Sequence, residues 1–450
     1  MTSRSSNLAI VGGGITGLTL SISLTKHGIS HTLYESAAGF GEIGAGVGFE
    51  PNFVRTMGLI SPALQEAFLT CADAKRPEAF DKTPAFFQYR IGDLRVPERK
   101  GLKDNLVAIK KDGTEVKIGE KLFDWRSRPG LRGGVHRAHL LDELVKLVPP
   151  HICKFKKRLI DVMEAEDGSG DAVLSFADGT TATHSAVLGC DGIKSRTREI
   201  VLGGKEEARA VFSGKYAYRG LIPMSKAVKF MGDYLPLRSQ MFAGYHGHVL
   251  TFPIAKGTIM NVVAFSSRPT WESEKWVVDS SREEMLKDYE TWSPMIKELI
   301  AAMPEKPDIW ALFNHRPAKT YHQTKPKIVL VGDAAHASTP HQGAGAGVGV
   351  EDCYILGEIL AAVSGNEDLE KAFKVYDEIR RPRSLKLVET SRTGAQLYEL
   401  ESELGDDFEA IEDRMETRMD WLWDYDIAED REKALQILKG SANAGSSARL

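Results

Sequence analysis

Apolar and polar residues follow three different rhythms along this chain. The first is a continuous apolar run. Leu8-Ala-Ile-Val11 reads as a strand buried on both faces, and Ile328-Val-Leu-Val331 and the stretch from Ser185 to Gly192 share that character. The second is strict alternation, which dominates from about Phe212 to Phe265, for example in Val249–Ala255 and Met260–Phe265, and predicts an antiparallel sheet. The third is an apolar spacing near 3.6, which predicts helices over Gly14–His27 and Val135–Leu147 and almost everything beyond Glu351. Gly28 is placed to end the first helix, and a second strand, His31–Tyr34, follows it. Ala172–Phe176, Asp178-Gly179 and Thr181–His184 predict a hairpin.

These rhythms divide the chain into interleaved parts. Residues 1–76, 105–200 and 325–365 form a discontinuous α/β nucleotide-binding domain. Residues 77–104, with strands such as Ala85–Tyr89, and 201–324 are expected to form a β-sheet domain, and 366–450 a C-terminal helical region.

Glycine then adds chemistry. Gly12, Gly14 and Gly17 fit G-x-G-x-x-G between a strand and a helix, the arrangement that turns a chain sharply and presents helix amides to a pyrophosphate. Glu35 ends the next strand, where an acid accepts from ribose hydroxyls and so favours FAD or NAD over NADP at this position. Near the other end, Val331-Gly-Asp-Ala-Ala-His336 and Thr339–Gly347 form a second glycine-rich loop, which reads as the wall of a flavin. Asp333 follows a buried strand, where ligands bind open α/β sheets, and it also suits plain helix capping. Gly345 and Ala346 leave bare amides at a helix start, able to stabilise negative charge.

Composition narrows the class. At 450 residues and 42% hydrophobic, the chain can bury a large core, while a net charge of −4 argues against nucleic acid or an anionic membrane as partner. No apolar run is long enough to span a membrane, and Met1–Asn7 lacks the apolar core of a signal peptide. Cys71, Cys153, Cys190 and Cys353 have no metal spacing, so four reduced thiols and no metal site are expected. An intracellular, soluble protein follows, cytoplasmic or, from the terminal Ala448-Arg449-Leu450, peroxisomal.

With Gly12–Gly17, Glu35, Arg137, Cys190-Asp-Gly192 and Gly332-Asp333 in view, the chain resembles the single-component FAD-dependent aromatic hydroxylases. Within them it is most similar to the salicylate-hydroxylase-like branch with its fungal dearomatising phenol hydroxylases. The likeness extends to Ile43–Gly48 and the Trp-containing C-terminal helix. It implies an α/β fold of the para-hydroxybenzoate hydroxylase type: a Rossmann-like FAD-binding domain, an interleaved antiparallel substrate sheet and C-terminal helices. It implies FAD as cofactor, NADH or NADPH as transient reductant, and O2 and a small phenolic ring as substrates, through a flavin C4a-hydroperoxide. Gly48 would face the cofactor and Arg137 lie along its pyrophosphate or ribityl chain. Asp333 would bind the ribityl hydroxyls, and Ala346 approach the pyrimidine edge. Asp191-Gly192 fits either the acid–glycine motif shared between FAD and the nicotinamide cofactor or a strand-ending turn. Pro340 would shape the backbone beside the flavin.

Arg219 occupies the position of an arginine that holds the phenolate in dearomatising relatives; a surface salt bridge is the alternative. Phe252 stands where some of those relatives carry tyrosine, which leaves Tyr218, Tyr245 or Tyr89 as candidate second donors. His246, His248 and His336 are of the type that titrates near neutrality. Salicylate, an orcinaldehyde-like polyketide phenol and an indole or alkaloid epoxidation all remain open as substrate chemistry, with one anionic oxygen favoured over a highly charged acid. A non-catalytic nucleotide-fold binding protein is the reading from another class. A halogenase is disfavoured because Trp421-Leu-Trp423 continues Asp-Tyr-Asp.

Overall fold

Runs that are apolar without interruption need cover on both faces, and the structure supplies it. The computed structural model describes residues 6–41, 46–72, 85–363 and 365–447. The expected 77 boundary, residues 43–45 of the small-residue turn and the terminal Ala448-Arg449-Leu450 lie outside these. A six-stranded sheet runs in the order His322–Thr324, Lys327–Leu330, Ala186–Gly189, Asn7–Val11, Ser30–Tyr34, Cys153–Lys154. All its pairings are parallel except that of the His322–Thr324 edge. Leu8, Ala186, Val187, Ile328 and Val329 are fully buried in it.

The helix Ile15–Lys26 packs on this sheet and ends at Gly28, whose φ of 68° suits glycine. Against it lies the helix Gly345–Ala361. The two approach so closely at Gly357 that a Cβ there would stand 2.1 Å from Ser23 Oγ.

Alternation elsewhere produces an eight-stranded sheet, ordered Val277–Asp279, Asp308–His315, Ala210–Pro223, Ile259–Ser267, Gly247–Ile254, Gln240–Gly244, Ala85–Ile91, Lys121–Arg126. Helices Met224–Met231, Arg282–Asp288 and Pro294–Ala301 cover one face with a separate core containing Tyr218, Met260 and Trp292. The other face turns towards the nucleotide sheet. Lys121–Arg126 corrects the expected return at 105: its Phe123 and Trp125 pair with Tyr89 and Phe87, so this strand belongs to the substrate sheet. The chain comes back only at Gly133–His136, which pairs with Gly46–Phe49.

The predicted hairpin forms, turning at Gly179 with φ 82°. Beyond residue 345 the described chain forms helices joined by turns, with no strand among the described residues, and the 30-residue helix Leu369–Tyr398 is clamped to Gly345–Ala361 by buried charge. Arg380 donates to Asp352 Oδ1 at 2.9 Å, Glu351 Oε2 at 2.7 Å and Asp430 Oδ2 at 3.1 Å. Arg383 forks onto Glu351 at 2.7 and 2.8 Å. Among the described residues, no helix is long and apolar enough to cross a membrane.

Candidate active site

The glycine loop is shaped first by the chain's own packing. Gly12 has φ 106°, and a Cβ there would stand 2.3 Å from the Cys190 carbonyl oxygen; one on Gly17 would meet the Gly12 oxygen at 1.9 Å. Glycine at both positions lets the turn press against the neighbouring strand and the helix close up behind it. Gly14 caps the helix, whose first residues face a cavity of about 1510 Å³ between the two sheets. Glu35 sits at the rim, its Oε2 accepting from the Gly13 amide at 2.7 Å and its Oε1 from the Ala37 amide at 2.7 Å.

Gly12, Gly14, Glu35, Gly48, Arg137, Asp191, Arg219, Asp333, Gly345 and Ala346 all line this one cavity, although the sequence scatters them over most of its length. Gly17 lies just behind the wall. Asp333 opens the short helix Asp333–His336, but Gly332 is the cap and no side-chain capping bond forms, so the plain capping alternative does not hold. Gly332 has φ 61°, and a Cβ there would be 2.6 Å from Thr16 Oγ1, which ties the two loops together directly. Asp191 is more occupied. Its carboxylate accepts from the hydroxyls of Ser195 and Thr197, each at 2.6 Å, and from the Arg196 and Thr197 amides. It therefore builds the turn into the helix Arg196–Leu202 while presenting one edge to the cavity. Burial pushes its pKa up.

Arg219 projects from the substrate sheet into the cavity with its guanidinium 4.9 Å from the Trp310 ring. Its Nε is buried without a hydrogen-bond partner. Burial, and then the nearby Arg137 charge, bring its pKa down to about 10. The surface-salt-bridge alternative thus fails, since no carboxylate pairs with it among the described residues. Leu250, Phe252, Val263 and Phe265 continue the same wall as an apolar surface. Phe252 lies over Gly46, where a Cβ would be only 3.2 Å from its ring.

Two of the proposed catalytic residues are elsewhere. Tyr218 is adjacent to Arg219 in a strand, so it points through the opposite face. Its hydroxyl donates to Asp288 Oδ2 at 2.7 Å inside the helix-covered core, where burial and Asp288 drive its pKa up. Tyr245 lies in the tight connection after Gln240–Gly244, donates to Asp406 Oδ2 at 2.6 Å, and stacks under Arg99, outside the cavity wall. Burial and then Asp406 push it up to about 12. Tyr89 shares the Arg219 face but stacks on Phe123 at 4.6 Å, behind the wall.

The histidines also sort themselves. His336 bonds Asp352 at 2.6 Å, inside the helix clamp. His246 is at the surface beside Glu401, and His248 is buried with Nδ1 3.0 Å from Glu399 Oε1. Thr339 and His341, which sequence reasoning did not single out, flank Pro340 in the cavity wall. Three segments bring His248, His341 and Glu399 within 4.8 Å of one another, a grouping that no sequence spacing announces. Lys215 donates to Glu399 and, at 2.7 Å, to Glu401, so an ammonium already stands where a cation would balance these carboxylates. Burial opposes ionisation of Glu399, yet the His248 hydrogen bond and the adjacent positive charges hold its pKa at about 2.

A flavin dinucleotide fits this cradle. The N-termini of the helices Ile15–Lys26 and Gly345–Ala361 both face the cavity, as anionic phosphates and an electron-rich ring require. Glu35 and Asp333 stand at separate points along it, each able to accept from sugar-type hydroxyls.

Residues 149–391 match the family model described as an FAD binding domain. The chain is 38% identical to the FAD-dependent monooxygenase orf3 of Aspergillus niger over 95% of each chain. It is 36% identical to a salicylate hydroxylase of Pseudomonas putida, over 95% of this chain and 94% of the relative. A solved salicylate hydroxylase substrate complex superposes with a TM-score of 0.77 at 30% identity, covering 95% of this chain and 98% of the other. The chain belongs to the FAD-dependent monooxygenases that include the salicylate hydroxylases, and FAD is its cofactor.

Proposed function

We propose that this enzyme hydroxylates an electron-rich phenolic ring, with NADH or NADPH as reductant and O2 as the source of oxygen. The observation that carries this reading is Arg219. A half-buried guanidinium with no carboxylate partner among the described residues is costly to maintain unless an anion arrives, and its planar fork suits a phenolate or carboxylate oxygen. The relatives named salicylate hydroxylase, and a 6-methylsalicylate 1-monooxygenase of Aspergillus terreus at 35% identity, act on rings of this kind by name.

FAD, when bound, reduced by the nicotinamide cofactor and supplied with O2, delivers an electrophilic oxygen. The chain's own residues do the rest. Glu35, Gly48, Arg137, Asp333, Gly345 and Ala346 hold and orient the cofactor. Arg219 keeps the substrate oxygen ionised, which pushes electron density into the ring. Leu250, Phe252, Val263 and Phe265 give the ring an apolar bed and exclude water from the reacting face. The finer choice is a salicylate-type or a polyketide-phenol substrate.

The test is NADH and NADPH consumption by the FAD-loaded protein with salicylate, a resorcylic aldehyde and an indole, products being followed by mass. Oxidation stimulated by a phenol, with gain of one oxygen, is the expected result; accompanying loss of CO2 selects the salicylate type. Oxidation that no aromatic compound stimulates would overturn the reading.

A further inference from the structure

The helix Pro51–Ile60 begins without a side-chain cap, although an acid, Glu50, stands in the capping position. Its carboxyl turns into the main cavity instead. One oxygen, Oε2, accepts from the Ser127 hydroxyl. The other has no hydrogen bond among the described residues and is not sealed from the cavity. Arg132 lines the same end. Its Nη2 donates to the Ala85 carbonyl at 3.2 Å, which leaves Nε and Nη1 without an acceptor among the described residues. Glu50 and Arg132 form no ion pair with each other, although the guanidinium is near enough to act on the carboxyl. An open acceptor and open donors thus face one space.

That space lies far from Arg219. Gly46 and Gly48 share a strand face with Glu50, whose backbone is still extended. A Cβ on Gly46 would meet Phe252, and one on Gly48 would meet nothing within 4 Å. Glu50 continues this open face past Phe252, ~13 Å along the chain from Gly46. Arg219 lies on the other side of Phe252: Val263 and then Leu250 are its cross-strand neighbours, and Phe252 is two residues past Leu250. Ser127 directly follows the strand Lys121–Arg126, which stands five strand spacings, ~24 Å, from the strand of Arg219. Leu250, Phe252 and Phe87 floor the cavity between, with the two phenyl rings 6.4 Å apart. An apolar channel therefore joins two polar ends that one aromatic ring cannot reach together.

We propose that Glu50 and Arg132 together take a hydroxyl group carried at the far end of the substrate. The inference rests on the phenolic reading above and deepens it: the substrate class becomes a phenol with an extended, largely apolar arm that ends in an alcohol. Arg219 holds the ring, and the distal pair selects the arm.

The surroundings suit an uncharged group. Burial raises the Glu50 pKa, against the opposing pull of Arg132 and of the Ser127 hydrogen bond. A cation already stands beside the carboxyl, so an arriving ammonium would add a second charge to a partly desolvated site. A hydroxyl both donates and accepts. It can give its proton to the open Glu50 oxygen while its lone pair takes an N–H of Arg132.

The test uses the FAD-loaded enzyme, with binding read from flavin fluorescence. The probes are 4-alkylphenols of increasing chain length, each with and without a terminal hydroxyl. At the chain length that spans the channel, the terminal hydroxyl should tighten binding about tenfold. Glu50→Leu should abolish that difference, change the plain alkylphenols by less than about twofold and leave FAD affinity unaltered. Arg132→Met should abolish it as well and covers a failure of the first variant to fold. No hydroxyl preference at any length in an enzyme that binds phenols, or a preference that survives both variants, overturns the distal site alone. Loss of FAD affinity in Glu50→Leu also overturns it, by placing the carboxyl in the cofactor's cradle. A wild-type enzyme that binds no phenol overturns the substrate class and the distal site with it.

Discussion

Arg380 and Arg219 are both withdrawn from bulk water, and the fold treats them in opposite ways. Arg380 is fully buried and met by Glu351, Asp352 and Asp430, whose charges overcome its desolvation and raise its pKa. Arg219 has an aromatic ring, a second arginine in its field and, among the described residues, no carboxylate, and its pKa falls. A charge that the protein neutralises itself serves the assembly of helices. One left for something else to neutralise marks where a ligand belongs.

The sharpest way to break this contrast is Arg380→Ala. Removing it leaves Glu351 and Asp352 buried with fewer partners, and should cost ~3–5 kcal/mol of stability, read from denaturant or thermal unfolding. Arg219→Ala should leave the melting temperature nearly unchanged and FAD bound. Product formation should drop about a hundredfold or more, with NAD(P)H oxidation slowed or diverted to peroxide. A variant that unfolds like the Arg380 one would make Arg219 structural, and wild-type coupling would remove it from the site. The smallest effect belongs to Tyr218→Phe, which should keep kcat within about twofold and lose only ~1 kcal/mol of stability, because Tyr216 still donates to Asp288 at 2.6 Å. A large loss of coupling there would contradict its placement on the far face.

Much of this was readable from residue order. Both glycine loops carry their geometry locally, since a turn's φ and a helix start depend on near neighbours, and ten of the proposed cofactor and substrate positions meet in one cavity. Tyr218 was an avoidable error: alternation in a strand forbids Tyr218 and Arg219 from facing the same side. Tyr245 was harder, because its contact with Asp406 joins distant segments that carry no common pattern. The same is true of Lys121–Arg126, whose sheet is decided by pairing with Ala85–Ile91, and of Thr339 and His341. These two were visible only as part of a flavin loop.

The parallel sheet interleaves early and late segments: Asn7–Val11 sits beside Ala186–Gly189, which pairs in turn with Lys327–Leu330. During translation, at roughly 5 to 20 residues per second, the first glycine loop emerges from the ribosome tens of seconds before the strand and helix that complete its pocket. Until then the nascent chain offers the cofactor half a grip, with the apolar edge of Asn7–Val11 waiting for strands not yet made. Capture of FAD is therefore an event of chain completion, and a message cut short before the codon for Asp333 would yield a colourless product.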